Sequence, residues 1–84
     1  MKYCLITFRS LTMTQKAEGL LRRKGFICTL QRTPRWMEEQ GCGTALEVQY
    51  TDIDGVQDVL QKNRIMYKRV YVRTRNDTME ELSR

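Results

Sequence analysis

Four short runs are apolar or alternate between apolar and polar, and apolar positions recur at helical spacing in two longer ones. Lys2-Tyr3-Cys4-Leu5-Ile6-Thr7-Phe8 is apolar and β-prone and predicts a central strand. Met13, Ala17, Leu20, Leu21 and Lys24 then fall at helical spacing, the apolar members forming one face for burial. Ser10 or Thr12 suits the start of that helix, and Gly25 its stop. Phe26 to Gln31 alternates as a second strand. Pro34 forces a break, and Trp36 to Gln40 has the length of one helical turn. Thr44 to Tyr50 predicts a third strand. Asp52 or Asp54 opens a second helix with Ile53, Val56, Val59 and Leu60 inward and Asn63 near its end. Met66 to Arg73 predicts a fourth strand, with Met66, Val70 and Val72 on one face and Tyr67, Arg69, Tyr71 and Arg73 on the other.

The order β-α-β-β-α-β is the ferredoxin-like split βαβ pattern of the α+β class. It predicts a four-stranded antiparallel sheet with two helices on one face. Residues 1–74 make one such domain. Residues 75–84 form a polar tail in which Asp77 could cap a short helix, unless the tail is disordered.

A chain of 84 residues allows a single small core. Its 15 Lys+Arg against 10 Asp+Glu give a formal net charge of +5, spread along the chain, which permits an anionic partner without demanding one. The three cysteines, Cys4, Cys28 and Cys42, are odd in number and far apart, which argues against a disulfide framework and for a reducing compartment. With no histidine and no C-x-x-C pair, a four-ligand zinc site within the chain is not expected, and no cofactor motif occurs. The N-terminus lacks a long apolar h-region, and no apolar stretch approaches the ~20 residues that span a bilayer. The expectation is a soluble, cytoplasmic protein.

Cys42 sits in Gly41-Cys42-Gly43, between a Thr33-Pro34-Arg35 turn and the third strand. Two glycines remove neighbouring side chains and open backbone angles closed to other residues. A thiol there is accessible, and free backbone N–H groups with Arg35 and Arg32 would favour its thiolate. The plain structural alternative is a turn that happens to hold a small residue. Cys4 and Cys28 lie inside strand patterns, where a cysteine behaves as a small hydrophobe.

The sheet face away from the helices is the second candidate surface. It would present Tyr3, Leu5, Thr7, Tyr67, Arg69, Tyr71 and Arg73, a mix of aromatics and arginine that suits base stacking and phosphate contact. Glu47 and Gln49 occupy the positions where RNA-recognition modules stack bases, so a homodimer contact ranks above nucleic acid. No paired carboxylates, nucleophile–base pair or phosphate loop can be assembled, so the enzyme class is the poorest fit.

The Tyr3-to-Ser10 stretch, Lys16-Ala17-Glu18, Thr33-Pro34-Arg35 and Cys42-Gly43-Thr44-Ala45-Leu46 together resemble the small bacterial domains described as selenium/sulfur carrier-like proteins. The resemblance covers nearly the whole chain except the tail. It implies that Cys42 is the carrier cysteine and that Pro34 and Arg35 shape its surroundings, with Arg32, Gly41, Gly43 and Thr44 around it. The chain departs from the family at Glu47, where arginine is usual, which removes one positive charge. The resulting expectation is a carrier that holds a persulfide or selenosulfide on Cys42 between sulfur or selenium donor and acceptor proteins. The alternative is a non-catalytic binding or regulatory module that uses its sheet face.

Overall fold

A computed structural model of the chain describes residues 2–32, 43–73 and the backbone of 79–81. Its elements are β1 (Tyr3–Thr7), α1 (Leu11–Arg23), β2 (Cys28–Arg32), β3 (Thr44–Gln49), α2 (Ile53–Lys62), β4 (Arg69–Arg73) and β5 (Met79–Glu81), with a short 3-10 turn, Tyr50–Asp52, leading into α2. The strands form one antiparallel sheet in the order β2-β3-β1-β4-β5. The first four strands and the two helices are the expected ferredoxin-like α+β fold. The polar tail adds a fifth strand beyond them, where the sequence suggests a helix or disorder.

Even-numbered positions of β1 and β3 face the helices. Cys4, Ile6, Phe8, Leu46, Val48 and Val70 meet Ala17 and Leu21 of α1 and Ile53, Val56 and Leu60 of α2 in one core. Period-2 alternation in the strands and 3.6-residue periodicity in the helices place these residues on facing surfaces.

Local chemistry sets both helix ends. Ser10 accepts a hydrogen bond from the Met13 backbone N–H at 3.2 Å and so caps α1. At the other end Gly25 has φ +92°, its N–H bonds to the Arg22 carbonyl, and the Phe26 N–H bonds to the Leu21 carbonyl. This is a Schellman stop. The same pattern ends α2: Arg64 N–H to Gln61, Ile65 N–H to Leu60, with Arg64 itself at φ 58°. Asp52 precedes α2, but its side chain makes no capping bond, because the 3-10 turn already holds it in a helical conformation (φ −93°, ψ −6°).

Two strand starts differ from the sequence expectation for this reason. Phe26 completes the α1 stop, so β2 begins only at Cys28 and Ile27 is 67% exposed. Ile65 completes the α2 stop, so β4 begins at Arg69, and Met66 is 79% exposed instead of inward. Tyr67, outside the ladder, packs on the helix-side core and its hydroxyl accepts from Gln61 at 3.3 Å.

The face away from the helices is also different from expectation. Leu5 (2% exposed) and Tyr71 (6%) are cross-strand partners and cluster with Ala45, and Thr7 is buried beside them. An apolar pair in mid-sheet gains by leaving water. The face is therefore not a bare platform. Tyr3, Glu47, Arg69 and Arg73 remain half-exposed around a closed centre.

Candidate functional site

Two of the three thiols, Cys4 and Cys28, lie among the described residues. Cys4 is fully buried and Cys28 is 4% exposed, and both belong to the helix-side core. Desolvation by burial pushes the Cys28 thiol up, and the Glu18 charge adds to this. A hydrogen bond and the positive charge from Arg22 offset it in part. The Cys28 Sγ donates to the Glu18 carbonyl at 3.7 Å, while Arg22 Nη2 donates to the Cys28 carbonyl at 3.3 Å and pairs with Glu18 at 3.2 Å. This is a packing cysteine tied to α1. Neither buried thiol meets the requirement of a nucleophile, an accessible thiolate.

Cys42, Gly41, Pro34 and Arg35 lie outside the described residues, as does the helical turn expected at Trp36 to Gln40. Gly43, bonded to Cys42, is described and has φ +81°, with nothing within 4 Å of where a β-carbon would sit. Glycine is needed there for its backbone angle and not for lack of space. Thr44 then opens β3, and its register partner is Arg32 at the end of β2. Arg32 is exposed and Thr44 half-buried. Three of the expected site residues, Arg32, Gly43 and Thr44, thus meet at one end of the sheet.

The next row across that end runs Gln31, Ala45, Thr7, Arg69. Beyond it Lys68 donates its backbone N–H to the Thr7 carbonyl at 2.7 Å, and Arg69 donates its own to the Thr7 hydroxyl at 3.1 Å. Arg9 follows β1 at the same end. The sequence pattern gives Arg9 and Lys68 no role. The signal was there: the residues after β1 and before β4 must adjoin once these strands pair antiparallel. Glu47 accepts a hydrogen bond from Gln31 at 3.0 Å. Among the described residues there is no cluster of potential metal ligands and no helix long and apolar enough to cross a membrane.

Residues 3–72 match the family described as "Putative Se/S carrier protein-like". The chain belongs to this family. No curated protein and no solved structure matches it. The match runs from β1 almost to the end of β4, and β5 lies outside it. All three cysteines fall within the carrier-like span, and the core holds two of them.

Proposed function

We propose that the chain carries sulfane sulfur or selenium on Cys42 from a donor protein to an acceptor protein. The observation that carries this reading is the burial of Cys4 and Cys28 within a Se/S carrier-like domain, which leaves Cys42 to do the chemistry. The Cys42 thiolate attacks the outer sulfur of a donor persulfide, a new S–S bond forms, and the donor cysteine leaves as its thiolate. The electron count is unchanged, and the proton stays on the transferred sulfur. With a selenosulfide donor the outer selenium moves in the same way. Gly41 and Gly43 give the partner's sulfur room to approach. Arg35 and Arg32 favour the anionic form, and Pro34 and Thr44 belong to the same site. The protein has no turnover of its own and works in a reducing compartment, such as the cytoplasm, where a free thiol persists.

Incubation with a cysteine desulfurase and cysteine, or a selenocysteine lyase and selenocysteine, tests this. Intact mass should increase by one sulfur or one selenium, reversibly on reduction, and Cys42→Ser should gain nothing. Equal loading of both proteins, or of neither across several donors, overturns the reading.

A further inference from the structure

At the Gln49 end of β3, opposite to Gly43 and Thr44, the sheet holds a cavity of about 430 Å³. Among the described residues Lys2, Tyr3, Gln49, Tyr50 and Thr51 line it. Tyr3 and Gln49 are register partners in β1 and β3, so both side chains stand on the face away from the helices. The pairing runs one residue further, because the Tyr50 N–H donates to the Lys2 carbonyl at 3.2 Å. Tyr50 opens the 3-10 turn into α2 and is 39% exposed. The Lys2 Nζ stands 5.2 Å from the centroid of the Tyr50 ring, a cation–π contact that orders both side chains. A smaller recess of about 80 Å³ adjoins the cavity, shares Tyr3 and Gln49 with it and brings in Glu47.

We propose that this cavity is a second site, which binds a purine nucleoside. Two tyrosine rings from different segments offer flat faces on which a base stacks, and stacking asks for no particular charge in the site. The Gln49 amide carries a donor and an acceptor side by side, the pattern that pairs with the N6/N7 edge of adenine. The Thr51 hydroxyl both donates and accepts, so it serves either edge of the ligand. Glu47 in the adjoining recess suits the ribose hydroxyls, because its carboxylate keeps lone pairs beside the bond it takes from Gln31 at 3.0 Å. The volume lies within the usual span for small-molecule sites. The cavity sits at the far end of β3 from the residues next to Cys42, so it stands or falls apart from carriage.

Titration of the full chain with adenosine, followed by the backbone amide resonances, tests the proposal. Saturable shifts should centre on residues 2–3 and 47–51. N6,N6-dimethyladenosine stacks but lacks the N6 donor, so it should bind at least about fivefold more weakly. Gln49→Leu should erase that preference, and Gln49 is exposed, so the fold should survive the change. Tyr50→Ala should weaken adenosine at least about fivefold, as expected for loss of a stacking ring. 2′,3′-Dideoxyadenosine should bind more weakly than adenosine. Arg23→Ala, an exposed arginine of the last α1 turn, should leave binding unchanged, and so should Cys42→Ser. Non-saturable shifts, shifts centred on other residues, or equal affinity for adenosine and its dimethyl analogue overturns the proposal. Tighter binding of a short adenine-rich RNA to the same amides also overturns it, in favour of a single-strand surface.

Discussion

Gly55 of α2 lies against the ring of Phe26, so closely that a β-carbon on Gly55 would stand 3.1 Å from Phe26 Cζ and 3.3 Å from Cε1. The residue that completes the α1 stop is thus also the surface against which α2 settles. A helix-interior glycine costs about 1 kcal/mol against alanine, and this contact accounts for its presence. Gly55→Leu should therefore destabilise the fold by about 1–3 kcal/mol through overpacking, read as a lower urea midpoint. A midpoint at or above that of the wild type would mean that Phe26 can move aside.

Cys28 predicts a pH dependence. Its thiol is held above the ordinary value near 9.0, chiefly by burial. Once pH rises past that ordinary value, the unfolded chain loses the proton while the folded chain keeps it. Stability is then full below the ordinary value and falls as pH climbs toward the raised one. Urea midpoints from about pH 7 to about pH 10 should decline more steeply for the wild type than for Cys28→Ala. Parallel curves would remove Cys28 as the cause.

The buried Gln57 has a side-chain nitrogen without a hydrogen-bond partner. An unsatisfied buried amide costs about 1–3 kcal/mol. Gln57→Met keeps the length and removes the donor, so it should stabilise the domain by about 1 kcal/mol. Thermal melting checks this, and a lower melting temperature would show that the amide carries a role the contacts do not reveal.

Native alkylation followed by peptide mapping should label Cys42 while Cys4 and Cys28 stay protected, the two being buried in the core. Arg35→Ala should slow labelling of Cys42 near neutral pH by up to about fivefold, the equivalent of ~1 kcal/mol, without changing the melting temperature. Labelling of Cys4 or Cys28 at the rate of Cys42 would refute the site assignment.

Much of the fold is legible in the sequence because its signals are local. Ser10 and Gly25 mark α1 through backbone hydrogen bonding, and Asn63 sits at the end of α2 as its position suggests. The apolar, β-prone run Lys2 to Phe8 marks β1. The errors have equally definite causes. Residues 66–73 alternate like a strand, but Ile65 is consumed by the helix stop and the ladder begins three residues after Met66. Alternation assigns Leu5 and Tyr71 to one face without saying whether that face is covered. Met79–Glu81 has little to bury, and its pairing with β4 is a backbone matter that side-chain pattern does not encode. At the site, composition singles out Cys42, and the structure adds the burial of its two competitors and the backbone of Gly43.

The fifth strand changes where this sheet can grow. Without it, the five-residue β4 would offer its outer row of N–H and C=O groups to any passing extended chain. With β5 in place that margin shrinks to three residues, too short to template a stable neighbour. Among the described residues the opposite margin of the sheet is β2, next to the exposed Ile27. The C-terminal tail thus turns an interior-length margin into a short one on the β4 side of this small sheet.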